Sequence, residues 1–394
     1  MFNAKEQHSS TLHTVEEPSI IEEQFVQARY REEELTSSYG SHTLAFFGLA
    51  PENMHFLAPD GAGLVNYRLT YNVAVVLGDP VCAPQDVERV MRSFLNFCAQ
   101  HKWHVAFYQV YPQYLNVYRD LKMHAFKIGE EAILNPQTFT LKGSALANVR
   151  TSCRRAEREG VTIQWYKGVP PTEVIQQLED LSRAWLKHKA SATETGFSVG
   201  RIDELSTVAE RADTIATRSR LSDPSQSSSK KMVPRFLTAV ALTSAGTPCA
   251  FMTFTPVYSS SLDTDHPSED EGWGWTLDIM RRTSATPPGV IELLLVRALD
   301  RFRSQGATVL SLGLVAWSDT LQELTPLQRK LASFVTDHLH LLETHNTLFK
   351  FKQKFNPHWE SRYIVTPVTL ALPQVALGVL RVRNYSSGVA KLVQ

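Results

Sequence analysis

At 394 residues the chain exceeds what a single hydrophobic core ordinarily holds, which predicts two domains. Its 40 Lys and Arg match its 40 Asp and Glu, so no overall charge draws a polyanion and any basic surface must be local. Cys82, Cys98, Cys153 and Cys249 show no CxxC spacing, which argues against a zinc site or a disulfide framework and fits a reducing, cytoplasmic setting.

Residues 1–39 are polar and acidic and read as a partly flexible extension, with one weakly amphipathic helical run from Ile20 to Arg31. A first domain is expected over 40–140. Short strands follow one another at Thr43–Phe47, His55–Leu57, Leu64–Leu69 and Val73–Leu77, the last running into Gly78, Asp79 and Pro80. Pro84 and Asp86 open a helix through Val90, Phe94 and Phe97. A strand at Val105–Val110, a helix at Tyr114–Leu121, a strand around Phe126 and the stretch Glu130–Leu134 complete the unit.

Residues 141–160 predict a linking helix on which Arg150, Arg154, Arg155 and Arg158 share one surface, ended by Gly160. Such a helix is either solvated and paired with Glu157 and Glu159 or a grip for phosphates, to which guanidinium geometry is suited.

The second domain is expected over 161–369, with strands at Arg235–Leu242, Cys249–Phe254 and Trp273–Ile279. Two stretches poor in apolar residues, 218–231 and 259–271, read as mobile insertions. Asp278 and Arg281 leave the third strand close together. Pro287, Pro288 and Gly289 then break the chain, and Ile291, Leu294, Leu295, Ala298 and Phe302 recur at helical spacing up to Gly306. The next strand, Thr308–Gly313, makes this a parallel crossover unit, whose sites form at the carboxyl ends of the strands, where Asp278 lies. Helical segments to Phe349 and a strand near Tyr363 repeat the order of the first half, which predicts two similarly built mixed α/β domains.

No run reaches the ~18 apolar residues of a membrane span. The stretch 365–382 comes nearest, but Pro367, Pro373 and Gln374 interrupt it and it closes on Arg381 and Arg383. It reads as packing surface, with reversible bilayer contact as the other expectation. Residues 370–394 are expected to be a C-terminal tail.

Several chemistries lack their devices: there is no Walker loop, no GxSxG elbow and no GxGxxG after a strand. The glycine-rich cradle of an acyl-CoA acetyltransferase is missing before the helix at 290, where two prolines stand instead. His338, His340 and His345 fit no usual ligand spacing, and no metal is expected.

Six stretches together resemble the soluble domain of the phosphatidylglycerol lysyltransferase (multiple peptide resistance factor) family. They are VVLGDPV at 75–81, KIGEEAIL at 127–134, AEREG at 156–160, GFSVG at 196–200, LDIMR at 277–281 and FKFKQKFNPHWESRY at 349–363. The resemblance implies two tandem acetyltransferase-like (GNAT-type) domains joined by the basic helix. It implies an aminoacyltransferase without cofactor, with aminoacyl-tRNA as co-substrate and a lipid hydroxyl as acceptor. Because no membrane-spanning part precedes the domain, the chain is most similar to free-standing fungal members, which implies glycyl-tRNA as donor and the 3β-hydroxyl of ergosterol as acceptor, with transient peripheral membrane contact. Aminoacylation of phosphatidylglycerol, or a non-catalytic tRNA- and lipid-binding module, is the alternative.

Carried onto this sequence, the resemblance makes Asp278 and Arg281 the catalytic candidates, Asp278 as orienting group or base and Arg281 as its partner or as a stabiliser of ester negative charge. Lys350, Lys352, Lys354 and Arg362, alternating with Phe349, Phe351 and Phe355, join Arg150, Arg154, Arg155 and Arg158 as tRNA-binding candidates. Trp185, Lys189, Phe197, Gly200, Glu130, Glu131 and Trp275 are assigned to the aminoacyl pocket.

Overall fold

Alternating apolar residues and tight turns build the first half. The computed structural model describes residues 20–187, 200–221, 233–258, 272–316, 342–367 and 372–384. Strands β1 (Met54–Leu57), β2 (Gly63–Thr70) and β3 (Val73–Leu77) form an antiparallel set. The β2–β3 turn places Tyr71 and Asn72 at φ of 47° and 59°, the left-handed conformations a two-residue hairpin of this twist requires. The two-residue β4 (Val81–Cys82) pairs back onto β2. Helix α3 (Val87–Gln100) buries Val90, Met91, Phe94 and Cys98 along one face and returns the chain to β5 (His104–Val110), parallel to β3. Helix α4 (Leu115–Asp120) and β6 (His124–Leu134) close this half.

The second half repeats the plan. After α5 (Ala147–Arg158) come β7 (Thr162–Lys167), α6 (Thr172–Lys187), α7 (Leu205–Leu221), β8 (Leu237–Leu242), β9 (Pro248–Val257) and β10 (Gly274–Arg282). Strands β7 to β10 are antiparallel neighbours. Helix α8 (Val290–Ser304) then leads to β11 (Val309–Ala316), parallel to β10, and α9 (Leu342–Gln353) precedes β12 (His358–Thr366). The duplicated order read from the sequence is therefore present as two parallel crossovers, β3–α3–β5 and β10–α8–β11, each framed by antiparallel strands. This is a mixed α/β, acetyltransferase-like architecture.

The closing strands are exchanged between the halves. Strand β6, the last of the first half, pairs with β11, whereas β12, the last of the second half, pairs with β5. The two also pair with each other, antiparallel, from His358↔Ile133 to Thr366↔His124. One sheet of twelve strands results, in the order β1-β2-β3-β5-β12-β6-β11-β10-β9-β8-β7 with β4 beside β2.

Four sequence expectations change. Thr43–Phe47 is not a strand: Ala45–Gly48 forms a short helix, α2, with Ala45, Phe46 and Gly48 buried, a case of a short apolar run whose period cannot separate strand from helix. The stretch around Phe126 and Glu130–Leu134 is one continuous strand. The helical run expected from Ile20 to Arg31 is present but continues to Tyr39 as helix α1 and packs on the fold, with Leu35 and the carboxylates Glu32 and Glu33 buried and His55 bonded to Glu32 at 2.6 Å. Likewise 372–384 is not a tail: α10 (Leu372–Asn384) lays Val375, Val379 and Val382 over Val73, Val75 and Leu77. The insertion at 259–271 and most of that at 218–231 lie outside the described residues, although Arg218 belongs to α7 and pairs with Glu33. Among the described residues, no helix is long and apolar enough to cross a membrane.

Candidate active site

Strand β10 pairs with β11 through Gly274–Thr276 and Val309–Ser311, then carries Asp278 toward its carboxyl end. Its pairing with β9 slips between Leu277 and Met280, so that two residues, Asp278 and Ile279, stand opposite the single Thr253. Such a bulge frees a backbone N–H and redirects the side chains on either side of it. Thr253 Oγ1 resolves both consequences: it accepts the Ile279 N–H at 2.9 Å and donates to Asp278 Oδ2 at 3.1 Å. The other carboxylate oxygen accepts the Gly200 N–H at 2.5 Å. A Cβ on Gly200 would stand 2.4 Å from Asp278 Oδ2, so only glycine lets the backbone approach this closely. Arg281 lies over the Trp185 ring at 4.1 Å and bonds the Met280 carbonyl, which turns its guanidinium toward the end of α6.

A second polar cluster occupies the strand exchange. Arg362 on β12 is wholly buried and donates to Glu131 on β6, with Nε–Oε2 at 2.7 Å, and to Glu360 at 2.7 Å. The Tyr111 ring lies against its guanidinium at 3.4 Å. Tyr111 O–H reaches Thr43 Oγ1 at 3.2 Å, and the Ser311 hydroxyl donates to the other Glu131 oxygen. Burial pushes the Glu131 carboxyl up, but Arg362 and these hydrogen bonds outweigh it and hold the group below its usual range. Lys352 on α9 donates to the carbonyls of Gly313 and Leu314 at 2.8 and 3.2 Å, and burial brings its ammonium down to about 7 against the opposing pull of Glu131. Asp79, after β3, accepts from the Tyr111 N–H at 2.9 Å and the Tyr118 O–H at 3.0 Å, and burial raises it to about 7. His42 packs on Gly78 and is lowered to about 4 by burial. The two clusters communicate: Thr276, two residues before Asp278, donates to the Thr43 carbonyl at 3.3 Å, and the Thr43 N–H donates to Tyr111 Oη at 3.1 Å.

The family model for the C-terminal region of phosphatidylglycerol lysyltransferase matches residues 33–215 and 228–366. The chain belongs to this family. The phosphatidylglycerol lysyltransferase of Bacillus subtilis is 25% identical over 328 residues, covering 82% of this chain and 33% of that protein. The lysylphosphatidylglycerol biosynthesis bifunctional protein LysX of Mycobacterium ulcerans is 25% identical over 354 residues, covering 87% of this chain and 28% of its own length. The chain thus spans about a third of the length of these curated relatives. Among solved structures, L-PGS from Bacillus licheniformis superposes with a TM-score of 0.70 at 24% identity, covering 90% of this chain and 96% of that one. The family domain therefore extends across both halves and the exchange that joins them.

The family's sequence stretches meet the structure unevenly. Asp278 is brought to Gly200 and, three residues further along β10, Arg281 to Trp185 on α6. Lys189 and Phe197 lie outside the described residues. Glu131 is inside the buried cluster, not on an open wall, and its neighbour Glu130, on the opposite face, pairs with Lys127 at 2.7 Å. Trp275 is a core residue, 1% exposed, which stacks on Phe302 at 4.3 Å and donates its indole N–H to the Arg235 carbonyl.

The expected row of cations on one face is also corrected. Residues 342–353 are helical, so alternation does not put Lys350, Lys352 and Lys354 on one side. Lys352 and Arg362 are buried and cannot hold a phosphate at the surface, Lys354 pairs with Glu292 at 3.0 Å, and Lys350 is exposed. On α5, Val149, Cys153 and Ala156 face the core and leave Arg154, Arg155 and Arg158 exposed, while Arg150 turns back to the Leu141 and Gly143 carbonyls. Sequence reasoning missed Thr43, Tyr111, Thr253 and Ser311. Their signal is weak because hydroxyl residues in strands and turns are common, and only the exchange and the bulge bring them to carboxylates.

Proposed function

We propose that the chain moves an aminoacyl group from a charged tRNA to a hydroxyl of a membrane lipid, with phosphatidylglycerol as the acceptor. Membership of the lysyltransferase family supports the reaction class, and the names of the relatives favour phosphatidylglycerol over a sterol. The observation that carries the site is Asp278, pinned by Gly200 and Thr253 at the bulge of β10 beside Arg281. An aminoacyl ester on ribose is already activated, so transfer to another alcohol needs alignment and proton handling rather than a nucleotide; alignment alone supplies roughly 7–11 kcal/mol in well-oriented model reactions. In this proposal Asp278 accepts the hydrogen bond of the acceptor hydroxyl. The lipid oxygen attacks the ester carbonyl as its proton passes to Asp278, Arg281 stabilises the oxyanion, and on collapse the ribose C–O bond breaks and Asp278 gives the proton to the departing ribose oxygen. The exposed Arg154, Arg155 and Arg158 hold tRNA phosphates.

The test is incubation of the purified protein with a mixed pool of charged tRNAs and vesicles containing both phosphatidylglycerol and ergosterol, followed by mass determination of new lipids. A ribonuclease-sensitive aminoacyl-phosphatidylglycerol is expected, and Asp278→Ala should lower its formation by about 10²–10⁴-fold while leaving tRNA binding intact. A glycyl sterol as sole product would replace the acceptor and donor assigned here. No ribonuclease-sensitive lipid product at all would remove the transferase reading.

A further inference from the structure

The strand pairings bring a distinctive set of turns to one edge of the sheet. Strands β10, β11 and β12 run parallel to one another in direction and end at this edge, because β11 and β12 are both antiparallel to β6. Strand β5, antiparallel to β12, begins there, and so does its parallel neighbour β3. The β2–β3 hairpin tip, the start of β5, the start of β6 and the carboxyl end of β10 with Arg281 therefore share one rim.

At that rim Tyr71 is 64% exposed at the hairpin tip, Leu69 is 37% exposed one residue pair earlier, and Leu377 is 45% exposed on α10. Leu377 is there because α10 turns Val375, Val379 and Val382 inward, with Gly378 so near the sheet that a Cβ on it would touch Thr70 and Val73, which sends its other face outward. Arg381, one helical turn after Leu377, stands 4.6 Å over the Tyr71 ring. Lys102, before β5, and Lys122, before β6, are exposed in turns with φ of 58° and 61°, with Asp120 as the counter-charge beside Lys122. In a chain of zero formal net charge, cations are thus interleaved with an exposed tyrosine and two leucines.

We infer that this rim is a docking surface for an anionic phospholipid bilayer, with Tyr71 and Leu377 entering the headgroup layer and Lys102, Lys122 and Arg381 meeting lipid phosphates. Amphipathic rings and aliphatic tips among cations suit an interface with an apolar side, whereas a nucleic acid would use the cations and leave Leu69 and Leu377 in water. The rim shares its edge with the end of β10, so docking brings the lipid phase to the side of the molecule on which Asp278 and Arg281 leave the sheet. The inference rests on the lipid-acceptor reading for the purpose of docking, not for the binding itself.

Flotation with vesicles of phosphatidylcholine alone, phosphatidylcholine with phosphatidylserine, and phosphatidylcholine with phosphatidylglycerol tests it. The protein should float with both anionic vesicles and not with the neutral ones, and binding should weaken with added salt. Each membrane-facing cation contributes about fivefold, so Lys102→Glu with Lys122→Glu should lower binding by at least ~25-fold. Leu377→Asn should lower it several-fold with an unchanged circular dichroism spectrum, and Phe25→Ser, at a still more exposed apolar site on α1, should bind as the wild type does. Equal binding to neutral vesicles, undiminished binding of the charge-reversed protein, or the same loss in Phe25→Ser would overturn the inference, as would loss of tRNA binding instead of vesicle binding. Transfer to a short-chain lipid dispersed in detergent should survive the rim substitutions. If the wild type gives no transfer even there while still floating, the transferase reading fails and the docking surface stands.

Discussion

Arg362 and Glu131 show how much a single buried pair can govern. Arg362 has no exposed surface and Glu131 is 1% exposed, so neither can fall back on water if its partner is removed. Deleting one member of such a pair costs roughly 3–5 kcal/mol, whereas replacing both by apolar groups of similar volume is frequently close to neutral. Glu131→Ala should therefore lower the urea midpoint by an amount in that range, and Glu131→Leu with Arg362→Met should recover most of it; an additive double variant would mean that the two do not act as a pair. Asp79 offers a test through pH. Its folded carboxyl titrates near 7 against 3.8 for the free group, so the folded protein holds the proton more tightly. The stability this supplies is full below about 3.8 and is lost as pH rises through about 7. His42 acts in the opposite sense, its contribution being present above 6.5 and lost as pH falls through about 4, so the wild-type profile mixes the two. Comparison with Asp79→Asn isolates one: the stability of the wild type relative to this variant should fall between pH 4 and 7. A flat difference across that range would show that Asp79 does not carry the proton.

Elements differ in how openly the sequence announces them. The strands β2, β3, β5 and β8 to β10 were legible because their apolar residues alternate or run continuously between turn residues, and α3 and α8 because theirs recur at helical spacing. The bulge in β10 was not legible, since nothing in Leu277–Arg281 marks a slipped register and the signal lies in Thr253 on the neighbouring strand. The packing of helix α1 is not legible in the sequence because its buried face includes Glu32 and Glu33, which composition alone assigns to solvent. Pro287, Pro288 and Gly289 predict a break before α8, and the structure shows why it must be one. Gly289 has φ of 89°, and a Cβ there would lie 2.0 Å from the Ser152 carbonyl oxygen of α5. The left-handed conformation alone disfavours any other residue by about 1–2 kcal/mol, and the backbone clash adds to it. Gly289→Ala should thus destabilise the fold by about 2 kcal/mol or more in urea titrations. Because the clash pushes α5 away from α8, the same variant should also weaken tRNA binding if Arg154, Arg155 and Arg158 hold that ligand. Unchanged stability would show that the α5–α8 approach is not a tight constraint.

At the scale of the whole molecule, the consequential feature is that neither half closes its own sheet. The sequence revealed the repeat but not the exchange, because β6 and β12 have the residues expected of a closing strand in either position. The choice lies in long-range pairing: Glu131 on β6 bonds Arg362 on β12 and Ser311 on β11, while Tyr111, following β5, covers Arg362 from the first half. Removing β12 would strip β5 and β6 of a neighbour together, and removing β6 would do the same to β12 and β11. The halves should accordingly unfold as one cooperative unit even though each has its own hydrophobic cluster, one around Phe94 and Phe107 and another around Trp275 and Phe302. Trp103 reports on the first cluster and Trp275 on the second. In variants retaining one or the other as the fluorescent reporter, the urea transitions should coincide in midpoint and slope once each is corrected for its own change in stability. Refolding should be slow for the size of the chain, since β5 gains its β12 neighbour only after a closure of some 250 residues, as between Phe107 and Val365. Two separated transitions, with the Trp103 signal persisting after the Trp275 signal is lost, would mean that β5 and β6 keep their structure without β12, and the exchange would then be a contact between independent domains and not the joint that makes them one.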